Sequence, residues 1–217
     1  MQHRDVREHL RHTKSILRFI QNAEPSVALY TLEQESSCAP FLQQCFPHAY
    51  VVNAYEYDED MLCRRQRFIA CSAPLQLQKV KHYGPTMHDK FGPKYGLDGS
   101  ELIIQSGFHQ VKSARDTPTF TVTQNPLRIG PHVSDTHALT AAEHMQILGD
   151  NESDVTWAQW NGRDPSETIK MRYVSQMMPR TFSKHLAVAV NNAWPHSNRN
   201  LSAPLQGTVI YNQQVWR

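Results

Sequence analysis

The side chains with the most evident chemical capacity in this sequence are cationic. Arg64, Arg65 and Arg67 stand close together, and a guanidinium offers a rigid, planar fork of donors that suits a base carbonyl or a backbone phosphate. The same three residues also read as a basic cluster on a solvated strand end. Farther along, Lys79, Lys81, Lys90, Lys94, Lys112 and Arg115 gather more positive than negative charge. Such a group either contacts phosphates, with binding that weakens steeply in salt, or forms the surface of a solvated loop. The formal net charge is only +2, so no global basic field announces a nucleic-acid partner and any basic surface is local.

Other chemistries have less support. The twelve His are scattered singly from His3 to His196 without zinc-ligand context, so no metal site is expected. Cys38, Cys45, Cys63 and Cys71 show no Cys-x-x-Cys spacing, and no apolar signal segment follows Met1. That pattern predicts a reduced, intracellular compartment and thiols that are buried or inert. The longest apolar runs fall far below the roughly 20 residues needed to cross a bilayer, so a soluble protein without a membrane partner is expected.

The elements that must position these groups are those of an α/β protein. A chain of 217 residues with 40% hydrophobic content supports one core and a small appended lobe. Residues 4–22 have the period of a basic-faced amphipathic helix. Residues 26–32 form a continuous apolar run closed by the acidic Glu33, as in a buried parallel strand. A second helix is expected over 36–46, interrupted by Pro40. Strands are expected over 50–55 and 67–71, separated by an acidic turn at 58–60. The pattern then dissolves into Gly, Pro, His and Lys from Pro74 to Gly107, an irregular lobe or long loop. Alternation and β-branching predict a strand over 119–123. Thr140 and Glu143 make a capping box for a helix that ends at Gly149, and a last helix begins near Pro179. Residues 195–217 read as a tail.

Several of these segments resemble, in order, motifs of the DNA cytosine-5 methyltransferases. The strand ending Leu32-Glu33-Gln34-Glu35 is similar to the one that delivers Glu-Asn-Val to the target base, with Glu33 as the match. The resemblance implies that Glu33 bonds a flipped cytosine and stabilises charge as a nucleophile adds to the ring. Arg65-Gln66-Arg67 is similar to the end of the family's Gln-x-Arg-x-Arg segment, which assigns Arg65 and Arg67 to the same nucleotide. The stretch from Arg115 to Thr123 resembles the Pro-x-x-Thr strand closing the target-recognition region. Leu139, Thr140 and Glu143 coincide with the family's Leu-Thr-x-x-Glu helix. The segment before Pro179 is similar to Gly-Asn-Ala-Val-Pro, with Ser175 and Gln176 in place of the Gly and Asn that serve S-adenosylmethionine binding.

The resemblance implies the C-terminal portion of a Rossmann-like methyltransferase sheet. Residues 1–73 would be a partial methyltransferase-like region, 74–136 a target-recognition lobe carrying the basic residues from Lys79 to Arg115, and 137–194 helices returning to the core. Neither the glycine-rich cofactor loop nor the Pro-Cys-Gln loop is present. DNA is therefore the expected ligand, a second subunit the expected source of the thiolate and cofactor half, and S-adenosylmethionine a ligand only in that complex. A catalytically silent relative that binds DNA or an active methyltransferase is the alternative. A structural or interaction protein with half an α/β fold remains a third reading.

Overall fold

Three strands from the first third of the chain build one sheet: β1 (Leu29–Glu33), β2 (His48–Asn53) and β3 (Gln66–Cys71). The computed structural model describes residues 29–33, 48–80, 84–96, 101–159 and 161–193, with Arg11, Lys14, Ser15, Arg18, Phe19 and Phe46. The sheet order is β1-β3-β2, and β3 runs antiparallel to both neighbours. β1 and β2 therefore point the same way on either side of it. The run ending at Glu33, expected as a parallel strand, pairs antiparallel with β3. A continuous apolar run reports cover on both faces and says nothing about the direction of the neighbour, which the connections decide. β3 itself is the covered strand, with Phe68, Ile69, Ala70 and Cys71 all buried.

A single 3-10 turn (Ala54–Tyr57) follows β2 and brings the Tyr57 ring to 5.7 Å from Phe182. The acidic turn is present, with Asp58 Oδ1 accepting from the Asp60 amide at 3.1 Å. The region expected to be irregular contains α1 (Met87–Tyr95). Thr86 caps this helix in a reciprocal box with Asp89, which satisfies amides that the first turn cannot. Gly92 and Pro93, which read as breakers, sit in its last turns. The cap outweighs the penalty that these residues carry in a long helix.

A second sheet follows, with β4 (Ile103–Gln105), β5 (Val111–Ser113), β6 (Arg128–His132) and β7 (Asp135–Ala138) in the order β5-β4-β6-β7, every pair antiparallel. These strands are too short to show a period of two, which is why none is legible in the sequence. A Cβ at Gly130 would overlap the Asp135 carbonyl, so glycine is required where β6 and β7 cross closely.

The strand expected over 119–123 is reduced to one bridge between Thr119 and Cys63. The Val122 carbonyl is taken by Arg65 rather than by a neighbouring strand.

Three helices complete the described chain. α2 (Ala141–Ile147) starts from the expected Thr140–Glu143 capping box, and Gly149 lies just past its end with φ of 81°, the left-handed conformation that favours glycine. α3 (Glu167–Val174) has no counterpart in the sequence reading. α4 (Arg180–Ala193) starts after Pro179 as expected and buries Phe182, Leu186 and Ala189, spaced along one face. One hydrophobic cluster runs from Val52 to Ala189, and draws on both sheets and on α1 to α4. The architecture is mixed α/β with two small antiparallel sheets, neither of them closed. Arg11, Lys14, Ser15, Arg18 and Phe19 are helical. The rest of the expected helix over 4–22, the expected helix over 36–46 (save Phe46) and the tail lie outside the described residues.

Candidate nucleic-acid interface

Arg65 immediately precedes β3, and its side chain turns into the protein. It is 1% exposed. Its Nη1 donates to the Val122 carbonyl at 3.2 Å, and its Nη2 donates to the carbonyls of Ser175 and Met177, each at 2.7 Å. The planar fork thus ties the start of β3 to the 119–123 segment and to the chain between α3 and α4, a task that suits a guanidinium because its donors are fixed in one plane. The Arg65 amide donates to Asn53 Oδ1 at 2.9 Å, which closes the β2–β3 connection. Sequence spacing cannot distinguish this inward use from the phosphate or base contact expected of it.

Arg67 is buried on β3, with its Nη1 donating to the Gln66 carbonyl at 3.0 Å. In register it faces Glu33 on β1 and Val52 on β2. Two of the three residues singled out for base contact, Glu33 and Arg67, are therefore direct cross-strand partners in the backbone.

The basic residues expected to form one lobe are distributed among separate partners. Lys79 pairs with Glu56. Lys90 donates to the Gln146 carbonyl at 3.2 Å, and its burial lowers its pKa below the usual lysine value. Lys94 donates to Glu143 at 2.7 Å, a bond that holds its own pKa above the usual value. Burial pushes the Glu143 carboxyl up, but bonds from Lys94, Thr140 and Tyr95 outweigh it and leave the pKa lowered. α1 is thereby fastened to α2 by Lys90 and Lys94, two of the five lysines expected to meet DNA. Arg115 lies 3.3 Å from His88 Nε2. Lys81 lies outside the described residues.

Lys112 is different, because it lines an open groove of about 300 Å³ together with Arg64, Phe108, Gln110, Phe120 and Thr121. The groove runs between the β4–β5 hairpin and the 119–123 segment. Lys112 Nζ donates to the Pro118 carbonyl at 3.3 Å and stands 5.2 Å from the centre of the Phe120 ring, so the ammonium is held in place with donors to spare. Arg64 is exposed. Phe108 is 64% exposed at the hairpin turn. Ser106 Oγ accepts from the amides of Phe108 and Gln110, and the Ser106 amide bonds the Gln110 carbonyl at 2.8 Å. This bonding makes the turn rigid, and it presents an aromatic ring to solvent beside two cations. Cations and an exposed ring are the equipment for holding phosphate and stacking a base. Arg64 was legible as part of a basic cluster. Phe108 and Phe120 were not singled out, although Gly107 beside Phe108 is a turn signal.

Ser175 and Gln176 close α3. The Ser175 hydroxyl donates to the Arg172 carbonyl at 2.8 Å and its own carbonyl accepts from Arg65, while the Gln176 amide bonds the Tyr173 carbonyl. These bonds hold the end of α3 against the Arg65 guanidinium. Cys63 is a buried free thiol whose pKa burial pushes up to about 11, which disfavours the nucleophilic thiolate. Cys71 is also buried and free; Cys38 and Cys45 lie outside the described residues. Among the described residues no group of three His, Cys, Asp or Glu is placed to hold a metal, and no helix is long and apolar enough to cross a membrane. No protein-family model matches the chain, and no curated protein matches it significantly.

Proposed function

We propose that the chain forms the DNA-engaging part of a cytosine-5 methyltransferase-like assembly and performs no methyl transfer alone. The observation that carries this reading is the register of the first sheet, in which Glu33 stands opposite Arg67. A backbone register that sets an acidic residue opposite a basic one on adjacent strands suits recognition of one base. The sheet order adds support. Two strands of like direction with an antiparallel strand between them suit the margin of a larger, mostly parallel, Rossmann-like sheet. β1 has one neighbour among the described residues, and its other edge suits a strand from the subunit that supplies the thiolate and S-adenosylmethionine. An intracellular site of action, with DNA, belongs to the same reading.

A second reading, a catalytically silent relative that binds DNA or an active methyltransferase, is favoured by Ser175, whose polar groups serve Arg65 and the end of α3. One experiment separates the two. Purified chain is mixed with the cofactor half of a cytosine-5 methyltransferase, and transfer of labelled methyl groups to DNA is followed. The first reading expects activity only in the mixture, lowered about 100-fold or more by Glu33→Ala, as for a positioned acid–base group. DNA binding without activity in any mixture selects the second. Turnover by the chain alone overturns both.

A further inference from the structure

His144 lies in the middle of α2 and is fully buried, and both nitrogens of its ring meet backbone groups. Nδ1 is 2.7 Å from the Thr140 carbonyl, and Nε2 is 3.0 Å from the Leu127 amide. A carbonyl only accepts and an amide N–H only donates, so these partners fix the tautomer: Nδ1 carries the proton and Nε2 offers its lone pair. The ring is therefore neutral where it stands. An imidazolium would set a second N–H against the Leu127 N–H in a fully buried site. Burial lowers the pKa of His144 below the ordinary 6.5, and it outweighs the Thr140 carbonyl and the charges of Glu143 and Glu167, which raise it. Glu143 is bonded by Lys94 and Tyr95 of α1, and Glu167 of α3 accepts from the Ala141 amide. On the strand side, Arg128 donates to Thr136, and the exposed His137 stacks on Tyr95.

What the ring holds is the start of β6. Leu127 immediately precedes that strand, and its carbonyl accepts from the Leu139 amide at 2.9 Å, just before α2. β6 in turn pairs with β4, whose hairpin with β5 forms one wall of the groove. The two sheets are paired separately among the described residues. We propose that His144 is a pH-sensitive latch that fastens α2 to the start of β6 when neutral and releases it when protonated, loosening the second sheet while the first stays intact. The opened form, with its ring in water, takes up a proton at the ordinary 6.5, whereas the closed form does so only at lower pH. The latch is thus complete above 6.5 and is lost as the pH falls through the folded value. Between those two values each pH unit downward makes opening about tenfold more frequent, because one proton is bound per opening. The device does not depend on the proposed engagement of DNA.

The test is NMR of the full chain, with ring nitrogen spectra and amide hydrogen exchange followed from about pH 8 down to about pH 5. The spectra should show His144 neutral with its proton on Nδ1, and titrating below 6.5. After correction for intrinsic exchange, protection of the Leu127 amide should fall about tenfold per pH unit below 6.5 and level off at the His144 midpoint. The amides of β3 should remain better protected throughout. His144→Gln keeps a donor and an acceptor but takes up no proton, so the tenfold dependence should disappear from Leu127. A proton on Nε2 in the neutral ring, or a His144 midpoint at or above 6.5, would overturn the proposal without any variant. Leu127 protection that is flat with pH would do the same, as would a pH dependence that survives in the glutamine variant. Equal protection of Leu127 and β3 at every pH would also overturn it, since the proton would then act on global unfolding.

Discussion

Arg64 and Arg65 are neighbours in sequence and opposites in use. Arg65 is enclosed, and its Nη1 and Nη2 donate to three carbonyls from distant parts of the chain. Arg64 is exposed at a groove that also holds Lys112 and the Phe108 ring. The first belongs to a region where the fold takes up the guanidinium's terminal nitrogens, the second to a region open to solvent. The contrast teaches that a cluster of cations in sequence is not one functional unit. The two adjacent side chains just before β3 meet different surroundings, one the interior and the other water.

The largest expected effect tests the enclosed side. Arg65→Met removes the donors and leaves three carbonyls without them, and each buried unsatisfied acceptor costs about 1–3 kcal/mol. A loss on the order of 4 kcal/mol is expected in urea unfolding. Arg64→Gln on the open side should shift the same curve by about 0.5 kcal/mol or less, as surface changes usually do. Similar losses for the two variants would abolish the distinction.

Asp58 sharpens the comparison, because it is enclosed and yet not saturated. Its Oδ2 has no partner among the described residues, and Gly149 packs so closely that a Cβ there would lie 3.1 Å from it. Burial raises its pKa from 3.8 to about 6, with the charges of Asp60, Asp150 and Glu59 adding to the rise. The sign follows from linkage. A carboxyl whose folded pKa is raised contributes stability that is complete below the unfolded value near 4 and is lost as the pH climbs through about 6. Asp58→Asn keeps an acceptor for the Asp60 amide and removes the charge. It should stabilise the protein by roughly 2–3 kcal/mol above pH 7, and the gain should vanish below about pH 4. A gain independent of pH would show that charge is not the cause.

Smaller effects are expected where the fold uses caps and surface pairs. Thr140→Ala removes the N-cap of α2, whose hydroxyl accepts from the Glu143 amide, and should cost about 1 kcal/mol in the same unfolding experiment. Lys79→Gln breaks an exposed pair with Glu56. No measurable change in stability should follow, because such pairs are screened by solvent and offset by side-chain entropy. A clear loss there would place Lys79 among the enclosed cations.

How much of this was legible depended on whether the signal was local. The capping box at Thr140 and Glu143, the stop at Gly149 and the start of α4 after Pro179 depend on residues a few positions apart, so the sequence determined them. The strands at 48–53 and 66–71 were visible because they are long and apolar enough to carry a pattern. α1 was hidden by Gly92 and Pro93, and the second sheet by strands of three to five residues. The destination of each cation was decided only by tertiary structure. Arg65 meets carbonyls from Val122, Ser175 and Met177, up to 112 positions away, and Lys94 meets Glu143 across two helices. Lys112 and Phe108 became a candidate site only when the β4–β5 hairpin was set against the 119–123 segment. Sequence determines a side chain's capacity to bond, but which partner satisfies it, or whether any does, depends on contacts between distant segments that no local pattern records.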